Sequence, residues 1–268
     1  MKKFLDLRRL KQLLLCVLPG ALAAALVLWG YAMQPDFMKR ADYRVYDKFL
    51  ERTAGGEPSS VPILIDIDEK SLAVCGQWPW PRYVLAELLA KLYEDGAAAV
   101  GVDILASEQD RTSPSLLIDR MKKDFSVSIP KKVFPPDLLD NDAILADVLR
   151  QTPSVMSCFL SGSSADLPSA KLKPLSLSEM RQPGAAPLAA SVPQGFGLVT
   201  PLPALAENAR SVGFMNAEGD MDGLFRRTPL FLSYKGEAVP SLALATLALA
   251  AGGGEKPSPL MVRLDADG

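Results

Sequence analysis

The pattern of apolar and polar positions divides the chain into an N-terminal apolar segment and a longer region of short elements. Residues 12–35 contain no charged side chain and are apolar almost throughout. About 20 such residues in a helix suffice to cross a bilayer core. Five basic residues and one acidic residue precede the segment, which favours a cytoplasmic N-terminus. The pattern therefore predicts a cytoplasmic segment over residues 1–11, a transmembrane helix over residues 12–35, and one extracytoplasmic domain over residues 36–268.

A cleavable signal peptide is the alternative interpretation of the same segment. Ala21-Leu-Ala23 resembles a small-residue cleavage site. The apolar run continues well beyond that site, which favours an uncleaved membrane anchor. Pro19 is compatible with this interpretation because transmembrane helices tolerate proline.

Residues 61–105 carry the pattern of one β–α–β unit. Residues 61–68 (VPILIDID) and residues 97–105 (AAAVGVDIL) are apolar runs typical of buried strands. Between them, the turn Trp78-Pro-Trp-Pro81 is followed by apolar positions at helical spacing that end at Gly96. Two strands joined by one helix imply a parallel pair with a right-handed crossover. The predicted fold class is therefore α/β, with an N-terminal transmembrane helix followed by a β–α–β-based, mostly parallel sheet.

Three carboxylates are expected at one edge of that sheet. Asp66 and Asp68 end the first predicted strand, and Asp103 lies near the end of the second. Ligands bind at the carboxyl ends of strands in open α/β sheets, so we take these acids, with Trp78 and Arg82, as candidate ligand-binding residues. The structural alternative is that the acids cap loops and pair with Arg82. A further alternative is a Mg²⁺ or Ca²⁺ site on the three acids. The prediction names no catalytic residue, no metal and no cofactor.

The remaining pattern is weaker and predicts separate elements. An amphipathic helix over residues 42–52 places Tyr43, Tyr46, Phe49 and Leu50 inward. Residues 107–136 form a mobile loop with one helix over residues 115–123. A helix capped by Asp140 or Asn141 precedes a buried strand over residues 154–160, and residues 161–194 form a long excursion or flexible linker.

The last third of the chain predicts a hairpin, a buried helix and one more strand. Order returns over residues 195–202. Gly219 and Asp222-Gly223 mark a turn between two strands, the second over residues 224–234. Lys235-Gly236 is the next turn, residues 240–251 form a buried helix, and residues 260–264 a strand followed by a turn signal over residues 265–268. That strand has no return partner, so we interpret the chain as a fragment of a longer protein.

Composition excludes several functions. The net charge is −2, and without the basic N-terminal segment the chain is more acidic still, which argues against binding nucleic acid. The absence of histidine excludes imidazole metal sites and Ser-His or Cys-His catalysis. Neither a Walker-type phosphate loop nor a GxSxG motif is present. A disulfide between Cys75 and Cys158 is permitted outside the cytoplasm, but one residue is expected in a loop and the other in a buried strand.

Five segments together resemble the CHASE domain of type 2, CHASE2. They are IDIDEKSL, GQWPWPR, GAAAVGVDIL, GFMNAEGDMDGLFRRTPL and PSLALATLAL. The resemblance covers residues 42–268 in this order, and GxWPWPR is its most specific element. It implies an extracytoplasmic sensory module of a bacterial transmembrane receptor, with further strands, transmembrane helices and an output domain beyond this chain. That output is commonly a nucleotide cyclase, a histidine kinase or a serine/threonine kinase. An aromatic residue that the family often has near Leu105 and Ala106 is missing.

Two hypotheses follow from these observations. In the first, the chain is a sensory region in the bacterial inner membrane, with its domain in the periplasm and no catalytic activity of its own. It binds an unknown small ligand or periplasmic partner, works as a homodimer, and regulates the output domain. In the second, it is a membrane-tethered α/β enzyme that uses the aspartate cluster, with or without a divalent cation.

Overall fold

The computed structural model describes residues 7–53, 61–162, 172 and 175–264. The chain divides into two compact units, residues 1–66 and residues 67–268. The helices are α1 (Leu7–Met33), α2 (Asp36–Thr53), α3 (Glu69–Cys75), α4 (Arg82–Glu94), α5 (Pro114–Phe125), α6 (Asn141–Gln151), α7 (Leu188–Ser191), α8 (Pro203–Asn208) and α9 (Leu242–Ala251). The strands are β1 (Val100–Val102), β2 (Ser154–Ser161), β3 (Leu177–Arg181), β4 (Gly197–Val199), β5 (Ser211–Phe214), β6 (Phe231–Tyr234), β7 (Glu237–Pro240) and β8 (Leu260–Leu264). The second unit is thus a mixed α/β fold.

The described part of the first unit contains the two helices α1 and α2. Within the described residues, no single helix has the length and apolarity of a membrane span, whereas the pair Val17–Met33 and Asp36–Thr53, bent by 80°, has them together. α2 buries none of its residues, so the predicted inward packing of its apolar side chains is wrong: Phe49 and Leu50 are 61% and 42% exposed, and Tyr43 and Tyr46 are half-buried. An apolar stripe predicts burial only where another element packs against it.

The central sheet of the second unit is built on β2, which is paired along both edges. β1 and β5 both run parallel to β2, with Val100 opposite Ser154 and Ser211 opposite Val155. β4 runs antiparallel to the last residues of β2. Apart from Phe159 and Ser161, all of β2 is buried, as expected for a strand covered on both faces. The predicted strand over residues 154–160, its parallel pairing and the capped helix before it are confirmed.

Successive residues of β2 face two different cores because side chains alternate along a strand. Met156 packs with Leu145 of α6 and Leu205 of α8. Val155 points to the other face and packs with Ala248 and other residues of α9. Helices therefore cover both faces of the sheet.

α9 approaches the sheet closely because two strand positions beneath it are glycines. A Cβ added at Gly213 would lie 2.7 Å from Leu242 Cα, and one added at Gly101 would lie 2.5 Å from Thr246 Oγ1. The Ser241 side chain caps α9 by accepting a hydrogen bond from Leu244 N–H. The predicted buried helix over residues 240–251 is confirmed, with its start at Leu242.

The helix predicted after the Trp-Pro turn is also confirmed. α4 begins at Arg82, directly after Pro81, and ends at Glu94. Gly96 has φ +92°, donates its N–H to Tyr93 O and is followed by an Ala97 N–H bond to Leu92 O, each 3.0 Å long. Both bonds belong to the Schellman ending, which requires the positive φ that glycine adopts readily.

The predicted strand over residues 61–68 is wrong, since no residue of that range lies in a strand. Ile63 and Leu64 are 82% and 91% exposed, whereas Ile67 packs against the core that contains α4 and α6. A β-branched run favours extended backbone, but a strand also needs a hydrogen-bonded neighbour. The β–α–β unit predicted over residues 61–105 therefore retains only its helix and a short second strand, β1.

The prediction of an unstructured excursion over residues 161–194 is wrong where the structure describes that range. β3 pairs in parallel with β8, from Leu177 opposite Leu260 to Arg181 opposite Leu264, and α7 lies between β3 and β4. The expectation that the Leu260–Leu264 strand lacks a partner is wrong for the same reason. The pairing joins segments far apart in sequence, which no local pattern reveals. The turn predicted over residues 265–268 lies outside the described residues.

The turn predicted at Asp222-Gly223 is present, since Gly223 N–H donates to Asp220 O at 2.8 Å, but the two strands predicted on either side of it do not pair with each other. β5 and β6 belong to different sheets, and the second predicted strand is shortened to β6. In the loop, the Arg226 guanidinium pairs with Asp220 at 2.9 Å and with Asp222 at 2.7 Å. Its hydrogen bonds lower the pKa of Asp222 to about 2. Two ion pairs to one arginine, whose side chain is 5% exposed, hold the loop where a strand pairing was expected.

The turn predicted at Lys235-Gly236 is confirmed as the turn of the β6–β7 hairpin. Both residues have positive φ, +50° and +83°, the combination that two-residue hairpin turns of type I′ require.

Cys75 and Cys158 are free thiols, one exposed and one buried. Burial raises the pKa of the Cys158 thiol to about 12, so it remains protonated.

Candidate functional site

The loop after β1 is folded around the buried carboxylate of Asp110, which is 8% exposed. Its Oδ1 accepts hydrogen bonds from the N–H and the hydroxyl of Thr112, at 2.8 and 2.7 Å. Its Oδ2 accepts from the backbone N–H of Arg82 at 2.7 Å and from Asn141 Nδ2 at 2.9 Å. Arg82 and Asn141 are the first residues of α4 and α6. One carboxylate therefore ties the loop to the N-termini of two helices.

A second buried carboxylate, Asp142, lies beside the first. Its Oδ2 accepts the backbone N–H of Asp110 at 2.8 Å. Its Oδ1 lies 3.5 Å from Arg82 Nε and accepts no hydrogen bond from the described residues. Ser113 completes the arrangement, since its Oγ accepts the N–H of Asn141 at 3.1 Å. Asp142 thus holds the loop from one side and the Arg82 side chain from the other.

These two carboxylates have opposite pKa shifts. Burial raises the pKa of Asp110, but the hydrogen bonds from Arg82, Thr112 and Asn141 outweigh it and lower the pKa below 3.8. Burial also raises the pKa of Asp142, and there the Asp110 N–H and the charge of Arg82 offset it only in part, so the pKa remains above 3.8. Both carboxylates lie close to helix N-termini. Each helix N-terminus is equivalent to about half a positive charge, which favours the ionised form of a nearby carboxyl group.

A cavity of about 340 Å³ lies next to this network, at the carboxyl end of β1. Its apolar wall is formed by Pro79, Trp80 and Leu105, and its polar wall by Arg82 and residues 107–112. The indole N–H of Trp80 donates to the carbonyl oxygen of Gly76 at 2.8 Å, which holds the ring in place. The cavity occupies the edge at which ligands bind in α/β sheets.

The structure brings one of the predicted site residues, Arg82, into the cavity wall. Trp78 is 40% exposed and makes an edge contact with Trp80, with ring centroids 5.9 Å apart. Asp68 caps α3 by accepting the N–H and hydroxyl of Ser71 at 2.9 and 2.8 Å, and these bonds lower its pKa. Asp66 and Asp103 are exposed. The expected pairing of Arg82 with one of these three acids is wrong, because the partner of Arg82 is Asp142.

The described residues contain no group of three acidic or cysteine side chains arranged to hold a metal ion. The divalent-cation alternative considered for Asp66, Asp68 and Asp103 therefore gains no support from their arrangement.

Sequence reasoning did not identify Asp110, Thr112, Asn141 and Asp142 as residues of the site, although it named Asn141 as one of two candidate helix caps. A weak signal was present: Asp110-Arg-Thr-Ser-Pro114 has the composition of an Asx turn leading into a helix that starts with proline. Asp142 follows a helix cap, where acids are common for reasons of the helix dipole alone. Their shared burial depends on the approach of α4 and α6 to the loop, which the sequence does not state.

The model of the CHASE2 domain family matches residues 21–266, so the chain belongs to that family, and the resemblance inferred from sequence is confirmed. CHASE2 domains are extracytoplasmic sensory domains. Neither a curated protein nor a solved structure matches the chain.

Proposed function

We propose that this chain is the sensory region of a bacterial transmembrane receptor, and that the cavity beside Arg82 is its ligand site. Family membership supports the sensory role. The observation that carries the site is the cavity itself, one wall of which is the loop that joins the N-termini of α4 and α6. Of the residues predicted from sequence, Arg82 lines the cavity and Trp78 contacts its wall.

The arrangement offers a route for a signal. A ligand that binds the terminal nitrogens of Arg82 moves its guanidinium, and so changes the contact between Arg82 Nε and Asp142 Oδ1, which are 3.5 Å apart. Weakening that contact changes how the loop holds α4 against α6. A ligand shifts a conformational equilibrium only by its difference in affinity for the two states, and this contact is one that differs between the occupied and empty cavity. The regulated output domain, a nucleotide cyclase or a histidine or serine/threonine kinase, lies outside this chain.

The proposal includes a membrane topology. The apolar part of α1 serves as the anchor, the N-terminus is in the cytoplasm, and the second unit is in the periplasm. The basic N-terminal flank supports this orientation. The receptor works as a homodimer, which chemical cross-linking in intact membranes tests.

Reporter fusions test the topology directly. An alkaline phosphatase, active only outside the cytoplasm, is fused after Pro58 and, separately, after Gly268. We expect both fusions to be active and the protein to stay in the membrane after alkaline washing. Inactive fusions would contradict the extracytoplasmic placement, and release of a shortened soluble chain would show that the apolar segment is a cleaved signal peptide.

A further inference from the structure

We infer that the cavity beside Arg82 takes a small carboxylate, which the Arg82 guanidinium binds through its terminal nitrogens. The inference rests on the proposed sensory function of the same site. Its starting point is the state of Arg82: the side chain is 14% exposed and lines the cavity, yet its guanidinium donates no hydrogen bond to the described residues and has only the 3.5 Å contact with Asp142. A guanidinium carries five N–H donors in a planar fork, so several donors of Arg82 remain for a ligand that enters the cavity.

The neighbouring acids do not supply the missing acceptors. Both oxygens of Asp110 are occupied by the four donors from Thr112, Arg82 N–H and Asn141. Asp142 Oδ2 is occupied by the Asp110 N–H, and its Oδ1 faces Nε rather than the terminal nitrogens. The outer edge of the guanidinium is therefore available to a ligand.

The charges around the cavity nearly cancel before a ligand binds. Asp110 and Asp142 carry two negative charges and the Arg82 guanidinium one positive charge, and the N-termini of α4 and α6 together contribute roughly one further positive charge. Glu108 and Arg111, which also line the cavity, pair with each other at 2.8 Å and are exposed. The charges therefore sum to roughly zero, so a carboxylate ligand meets no large net repulsion. The planar fork of arginine fits a carboxylate with two parallel hydrogen bonds.

The size and walls of the cavity narrow the ligand further. A volume of about 340 Å³ is at the lower end of the range for small-molecule sites, about 300–1,000 Å³. Pro79, Trp80 and Leu105 form an apolar wall opposite the polar residues of the loop. This arrangement suits a monocarboxylate with a short apolar or aromatic body that packs on the Trp80 side.

Matched pairs of ligands test the inference on the unaltered chain. The full chain in nanodiscs is titrated with acetate, propionate, lactate and benzoate, and with the corresponding neutral amides, while thermal unfolding is followed. We expect at least one carboxylate to raise the melting temperature with increasing concentration and its amide to leave it unchanged. Equal shifts from acid and amide, or no shift with any of the acids, would overturn the carboxylate inference. The topology fusions decide the sensory placement independently.

A second measurement assigns the binding to Arg82. The ¹⁵N signals of the Arg82 guanidinium should move on titration with the active carboxylate, and those of Arg150 should not, because Arg150 is exposed and paired with Asp147. Arg82→Lys, which keeps the charge but loses the fork, should weaken binding by about tenfold or more, and Arg150→Gln should bind as the wild type does. Unmoved Arg82 signals at saturation would show that the ligand binds elsewhere.

Discussion

Replacing Asp110 with asparagine should destabilise the protein strongly. The four hydrogen bonds to Asp110 divide into two on Oδ1 and two on Oδ2. An asparagine side chain has only one oxygen that accepts hydrogen bonds, so the two bonds to the other Asp110 oxygen are lost. Its amide N–H₂ group then faces the two donors that this oxygen had accepted. A hydrogen bond to a charged group contributes about 1.5–3 kcal/mol, which gives an expected loss of about 3–6 kcal/mol in the free energy of unfolding. That is a large part of the roughly 5–15 kcal/mol typical of a folded domain.

Urea denaturation of the full chain in detergent micelles, followed by tryptophan fluorescence, measures this loss. The matched control is Asp147→Asn, whose exposed ion pair with Arg150 should contribute about 0–1 kcal/mol. Folding lowers the pKa of Asp110 below its ordinary value of 3.8. The contribution of Asp110 to the free energy of unfolding is therefore complete above pH 3.8 and is lost as the pH falls through the lower pKa of the folded state. The difference between wild type and Asp110→Asn should therefore shrink in acid. A destabilisation within 1 kcal/mol of the control at neutral pH would refute the assignment of Asp110 as the centre of the loop.

Asp142, Gly213 and the two cysteines each give a further prediction. Asp142 has a raised pKa in the folded state, so the wild type should gain stability relative to Asp142→Asn as the pH falls through that pKa towards 3.8. Urea midpoints of the two proteins across pH 3–7 measure the gain, and a difference in stability that does not change with pH would contradict the prediction. Gly213→Ala should cost about 1–3 kcal/mol by overpacking, since its Cβ would lie 2.7 Å from the α9 backbone, whereas Gly162→Ala meets nothing within 4 Å; melting temperatures compare the two, and similar values would contradict the close approach of α9. Cys75 should react with a maleimide in the folded chain and Cys158 should not; peptide mass spectrometry after labelling would measure this, and labelling of Cys158 under native conditions would mean that β2 is not buried.

Elements fixed by local chemistry could be predicted from sequence. α4 has its proline start, its apolar spacing and its glycine end within a short stretch, and each of these signals is local. The same holds for the Asp140 cap of α6 and for the Lys235-Gly236 turn. β2 could be predicted because a strand buried on both faces is a nearly continuous apolar run.

Features that depend on distant partners could not be predicted. Residues 61–68 have a strong strand pattern and form no strand. The β3 segment has a weak strand pattern, yet it pairs with β8. The candidate site shows it again. The conspicuous aspartates, Asp66 and Asp103, are exposed. Asp110 of the loop after β1 lines the cavity, and Asp142 of α6 is buried beside it.

We propose that ligand binding in the Arg82 cavity acts on the loop that joins α4 and α6. Amide hydrogen exchange of the full chain in nanodiscs, with and without the monocarboxylate that raises the melting temperature most, tests it directly. We expect slower or faster exchange at the amides of Arg82, Asp110 and Thr112, and no change in the β6–β7 hairpin. Saturation with that carboxylate without any change at the three amides, or with changes confined to the hairpin, would contradict the claim.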